Sequence, residues 1–270
     1  MKIAFFSNDA SICSSLSALV MSTLISEKFS LNIVMLQNKS AGDRAERYIE
    51  PAKRKNLFRE ENIYFALDGI DFLIWLYQNR RITWNAVEEV CLPLSEKAKY
   101  IPAGTRVQSQ LYPGKTADAQ WDIVKWLEKM TDIVVVDCGS KEDVFSELLH
   151  KHGEVKVLCI KHDKAVLDQI LVEDKKWFGD ELIFLVDYDY RSVYNKENIS
   201  RIYRIPIERI AVIPQNPELE NYMSQGRLPK YFFRNKNGTL GGCHNLYCMR
   251  EMREASEKIM EAAYGKVRES

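Results

Sequence analysis

Short apolar runs alternate with stretches of helical periodicity along the chain. Ile3-Ala4-Phe5-Phe6 predicts a buried strand, and Leu31 to Leu36, with Ile33, Val34 and Met35 inside it, predicts a second. Between them Ile12, Leu16, Leu19, Val20, Thr23 and Leu24 recur at helical spacing. Ser11 to about Lys28 therefore reads as a helix, with Asp9 or Ser11 as its cap. Ile133 to Val136 is a continuous β-branched run between Asp132 and Asp137. A run apolar at every position fits a strand covered on both faces, as in a parallel sheet. Further strands are expected at 99–102, 155–160, 182–186 and 210–213. Helices are expected at 67–79, 84–92, 117–129, 141–150, 164–172 and 196–203, with a long charged C-terminal helix within 246–270.

Strands separated by helices in this order predict βαβ units with right-handed crossovers. The expected fold is α/β: a mostly parallel, twisted sheet flanked by helices, in three layers. No stretch is rich enough in Gly, Pro or Ser to act as a linker, so residues 1–270 read as one domain. Residues 40–100 read as a helical embellishment within it.

Composition narrows the function. A hydrophobic content of 46% over 270 residues is ample for one core. Lys+Arg and Asp+Glu are equal at 38 each, so the basic excess of a nucleic-acid binder is absent. The local groups Lys53-Arg54-Lys55 and Arg80-Arg81 read as solvated faces. The N-terminal apolar run is too short for a signal peptide, and no run reaches the roughly 18 residues of a membrane span. A cytoplasmic protein is expected. The six cysteines are scattered, which suits small buried hydrophobes better than disulfides. Cys243-His244-x-x-x-Cys248 has neither the usual C-x₂-C spacing nor a second ligand pair, so it reads as an ordinary loop. His150-Lys151-His152 reads as a solvated helix end.

Open parallel sheets bind ligands beyond the carboxyl ends of their strands. The segment joining the first strand to the first helix, Ser7-Asn8-Asp9-Ala10-Ser11-Ile12-Cys13-Ser14-Ser15, is therefore the natural candidate site. Here the chain resembles the MinD/ParA family of P-loop ATPases (the SIMIBI class), whose first strand runs into KGGxGKTT. On that pattern Asn8 stands for the first Lys, Asp9 and Ala10 for two glycines, Ile12 for the third, and Cys13 for the second Lys. Ser14 and Ser15 match the hydroxyl pair. Glycines let such a loop aim consecutive N–H groups at phosphates, and the Lys supplies charge to them. A Cβ-bearing loop with a neutral thiol and Asp9 loses both.

The resemblance continues to about residue 228. Asp132 to Gly139 is similar to the family strand whose Asp reaches magnesium through water, which places Asp137 in that role with Ser14. Asp137 can equally be read as a strand-end residue capping the next turn. Gln37 and Asn38 stand where the family's second strand ends in acidic residues. Tyr100 to Gly104 is similar to the family's short strand. Asp187 stands in place of an Asn that contacts adenine, and Pro214 and Gln215 open the segment that closes over the base. A lost Lys with Gln37/Asn38 resembles the degenerate branch related to CpaE and TadZ, localisation factors of Flp-type pilus machinery. The resemblance implies a homodimer with no cofactor or only weakly bound ATP/Mg²⁺. It also implies protein partners in an envelope-associated complex and recruitment to the membrane or cell pole through them. The alternative is a working partitioning or positioning ATPase.

Overall fold

Period-two alternation in the strands sorts their side chains into two apolar layers. In the computed structural model, residues 1–7, 13–38, 45–49, 69–103, 113–139, 143–173, 179–236 and 242–269 are described. Eight strands among them form one sheet: β1 (Lys2–Ser7), β2 (Ile33–Gln37), β3 (Leu92–Pro93), β4 (Ala98–Ile101), β5 (Ile133–Gly139), β6 (Val155–Lys161), β7 (Leu182–Tyr188) and β8 (Ile210–Pro214). Their order is β3-β4-β2-β5-β1-β6-β7-β8. Every neighbouring pair is parallel except β3 with β4. The mostly parallel three-layer α/β fold expected from the sequence is the one observed.

The edge strand β3 differs from expectation, because the helix read over 84–92 ends at Val90. Cys91 is extended, and Leu92, which precedes Pro93, is biased away from helix. Leu92-Pro93 therefore pairs antiparallel with β4 at the sheet edge, where a missing N–H is tolerated.

Ile3, Phe5, Ile33, Met35, Ile133, Val135, Phe184 and Ile213 face one layer. It holds α1 (Cys13–Phe29), α8 (Pro217–Ser224), α9 (Leu228–Asn235) and α10 (Cys243–Glu269). Ala4, Phe6, Val34, Leu36, Val134, Val136 and Leu185 face the other. That layer holds α2 (Gly69–Gln78), α3 (Trp84–Val90), α4 (Pro113–Glu128), α5 (Val144–His152), α6 (Lys164–Asp168) and α7 (Lys196–Tyr203). The residues from Ser14 to Ser26 of α1 are all buried. A helix packed on all sides carries no polar face, which is why its serines lie among apolar neighbours. No helix among the described residues is long and apolar enough to cross a membrane.

Helices α8 and α9 have no counterpart in the sequence reading. Asn216 caps α8 by accepting from the N–H groups of Glu218 and Leu219, and Pro217 occupies the first turn. Asn-Pro is a helix-start signal, but eight residues are too few for periodicity to register.

Candidate functional site

The parallel register brings the ends of β2, β5 and β1 level. Asp137 pairs with Gln37 on one side and with Phe5 on the other. Its side chain is fully buried, and a buried carboxylate requires donors. Ser15 Oγ donates to Asp137 Oδ2 at 2.5 Å, and the amide of Gln37 lies 3.3 Å from the same oxygen and 3.1 Å from Ser15 Oγ. The N–H of Gly139 donates to Asp137 Oδ1 at 3.2 Å, a turn-closing bond two residues on. Gly139 sits at φ 61°, in the left-handed region that suits glycine.

Gln37 extends this cluster to the sheet edge. Its Oε1 accepts from Tyr100 Oη at 2.7 Å and from the N–H of Ala45 at 3.1 Å. Tyr100 Oη also lies 3.1 Å from Glu46 Oε2. The amide orientation follows from its neighbours. Ala45 N–H can only donate and an ionised Asp137 can only accept, so Oε1 faces the first and Nε2 the second. Asn38 serves a second junction. Its amide donates to both oxygens of Asp143 at 3.1 Å, and Asp143 caps α5 through the N–H of Ser146. The positions read as lost acidic groups thus act as bridging amides.

Of the expected phosphate-loop residues, Asn8, Asp9, Ala10, Ser11 and Ile12 lie outside the described residues. Cys13 opens α1. Ser14 and Asp137 were expected to share a metal; among the described residues the hydroxyl bonded to Asp137 is that of Ser15. The Ser14 hydroxyl is buried without a hydrogen-bond partner among the described residues. One residue along a helix turns the side chain by about 100°, which is enough to exchange the two.

Asp187, Pro214 and Gln215 gather at the carboxyl ends of β7 and β8, three and four strand spacings from β5, so about 14 Å and about 19 Å from Asp137. The β7–β8 register shifts between Val186 and Tyr188, and Asp187 adopts φ 54°. This bulge turns its carboxylate outward, 3.7 Å from Lys161 Nζ. Gln215 donates its N–H to the Tyr188 carbonyl, and its own carbonyl accepts from His244 Nε2 at 2.9 Å. Cys248 Sγ lies 3.7 Å from the same His244 nitrogen. Burial pushes the Cys248 thiol up to about 11, so it is protonated at neutral pH and a poor ligand or nucleophile. No three His, Cys, Asp or Glu side chains among the described residues converge on a metal position. His150 is no solvated helix end. It bonds Glu181 at 2.8 Å and meets the Phe6 ring edge-to-face.

His162, beside this edge, was not singled out in the sequence. It follows β6, packs against the Tyr188 ring and accepts from the N–H of Asp189. Burial holds its pKa below the ordinary histidine value, although Asp189, Asp187 and Asp163 pull the other way. A folded-state value below the unfolded one means the unfolded chain binds more protons. The neutral ring's stabilising contribution is therefore complete above about pH 6.5 and is lost as pH falls below it. The melting-temperature advantage of wild type over His162→Gln is expected to be larger at about pH 7.5 than at about pH 5.5. An advantage that grows on acidification contradicts this reading.

No family model and no curated protein matches the chain. Solved structures do. A ParA family ATPase from Chlorobium tepidum TLS superposes with a TM-score of 0.67 at 12% identity, over 95% of this chain and 98% of that one. The cell division ATPase MinD of Pyrococcus furiosus gives 0.64 at 13% identity, over 96% and 98%. The septum site-determining protein MinD of Pyrococcus horikoshii OT3, complexed with Mg-ADP, gives 0.59 at 15%, over 97% and 96%. At these identities the likeness establishes the fold, that of the MinD/ParA P-loop ATPases.

Proposed function

We propose that the chain is a non-hydrolysing member of this fold class that works through protein surfaces, as a localisation or assembly factor for an envelope-associated complex such as pilus or secretion machinery. One observation carries the reading. The buried carboxylate of Asp137, at the position expected to serve magnesium, is already bound by Ser15, Gln37 and Gly139. The sequence adds that the loop before Ser14 lacks both a lysine and glycines. Such a loop has neither the ammonium charge nor the backbone freedom to grip a β,γ-phosphate pair. The amino end of α1 still offers a weak attraction to anions, compatible with loosely held ATP. By resemblance the chain would act as a homodimer in the cytoplasm, reaching the membrane or cell pole through its partners.

A nucleotide-dependent positioning ATPase is the second reading, favoured by the presence of Ser14 and Asp137 in the sequence and by the Mg-ADP held by the Pyrococcus horikoshii MinD. A phosphate-release assay with ATP and magnesium separates them. The proposal expects release indistinguishable from a protein-free control. Turnover that disappears in Asp137→Ala would support the second reading.

A further inference from the structure

A divalent cation held between a serine hydroxyl and a carboxylate takes lone pairs from both. Here Ser15 Oγ and Asp137 Oδ2 are 2.5 Å apart, and the position beside them from which one atom can reach both is taken by Gln37 Nε2, at 3.1 Å and 3.3 Å. That nitrogen carries two hydrogens and offers no lone pair. Ser15 in turn spends its own hydrogen on Asp137, so the three groups close on one another. The amide cannot turn over to present its oxygen, because Oε1 is held by the Ala45 N–H and the Tyr100 hydroxyl. A flip would set the amide's hydrogens against the Ala45 N–H and its oxygen against the Asp137 carboxylate.

We infer that Gln37 is the residue that excludes a divalent cation from this site, its amide standing in the cation's place. The inference rests on the non-hydrolysing reading and sharpens it. Loop changes alone explain weak phosphate binding, whereas Gln37 accounts for the metal. The residues needed to hold a cation are otherwise present: a hydroxyl and a carboxylate within bonding distance of each other, at the buried end of a rigid central strand. Exchanging the amide for a carboxylate replaces a donor with an acceptor of nearly the same shape and adds a negative charge. Charge count is the main determinant of affinity for hard cations.

The test is thermal melting of the full chain with and without Mn²⁺ at about 1 mM, nucleotide omitted. Wild type is expected to melt at the same temperature in both. Gln37→Glu is expected to melt lower without metal, because two carboxylates then share a buried site, and to rise by about 5 °C or more with it. Adding Asp137→Asn to Gln37→Glu should abolish the rise. If Gln37→Glu does not fold, Gln37→Ala carries the test, with a smaller Mn²⁺-dependent rise through water-filled coordination. A wild-type shift equal to that of the variants overturns the inference, and so does a flat response in whichever variant folds. Phosphate release by wild type reports separately on the non-hydrolysing reading, so the two can fail independently.

Discussion

Gln37→Leu is expected to lower the unfolding free energy by about 3 kcal/mol, seen as a reduced urea midpoint at unchanged slope. The substitution keeps the bulk of the side chain and removes all its polar atoms. Asp137 loses one donor in a fully buried setting, while the Ala45 N–H loses its acceptor and the Tyr100 hydroxyl loses the amide oxygen 2.7 Å away. Unmet buried groups cost about 1–3 kcal/mol each, more when charged, and partial relaxation keeps the total near the lower sum. The loss should shrink in an Asp137→Asn background, since a neutral amide short of a donor suffers less than a carboxylate. A cost below about 1 kcal/mol, or strict additivity with Asp137→Asn, would show that the three side chains do not act as one unit.

Phe5→Ala is expected to cost about 3–5 kcal/mol, a large part of the ordinary stability of a domain. Phe5 is fully buried on β1, between β5 and β6, and its ring meets that of Phe184 edge-to-face at 6.0 Å. Both neighbouring strands are fixed by backbone hydrogen bonds and α1 is packed on all sides, so little can collapse into the space. Equilibrium unfolding measures the loss directly. A cost under about 1.5 kcal/mol would mean that the core around the central strand is plastic.

The strand framework was legible because most parallel strands declared themselves as apolar runs, Ile133 to Val136 most plainly. The sheet's periphery was less so. Leu92-Pro93 is too short to show a period, and α8 and α9 are short helices whose best signal was the Asn-Pro dipeptide. At the site, the sequence located Asp137 and the serine pair but not the contacts among them. Gln37 and Asn38 read as absences, two acidic groups gone. Folded, they are the residues that satisfy Asp137 and Asp143. That role depends on the β2–β5 register, a long-range pairing that local pattern cannot reveal. The choice of Ser15 over Ser14 depends likewise on helix phase, and a one-residue uncertainty in the start of α1 leaves it open. His162 was invisible for a related reason: its burial comes from the Tyr188 ring and the β7 bulge, elements that follow it in the chain.

Titration calorimetry with ATP, with and without magnesium, tests the central claim most directly: that the strand-end carboxylate is satisfied from within and grips no metal-nucleotide. The expected result is binding weaker than about 100 μM, unchanged by magnesium and by Asp137→Ala. Micromolar affinity that requires magnesium and disappears in Asp137→Ala would contradict it.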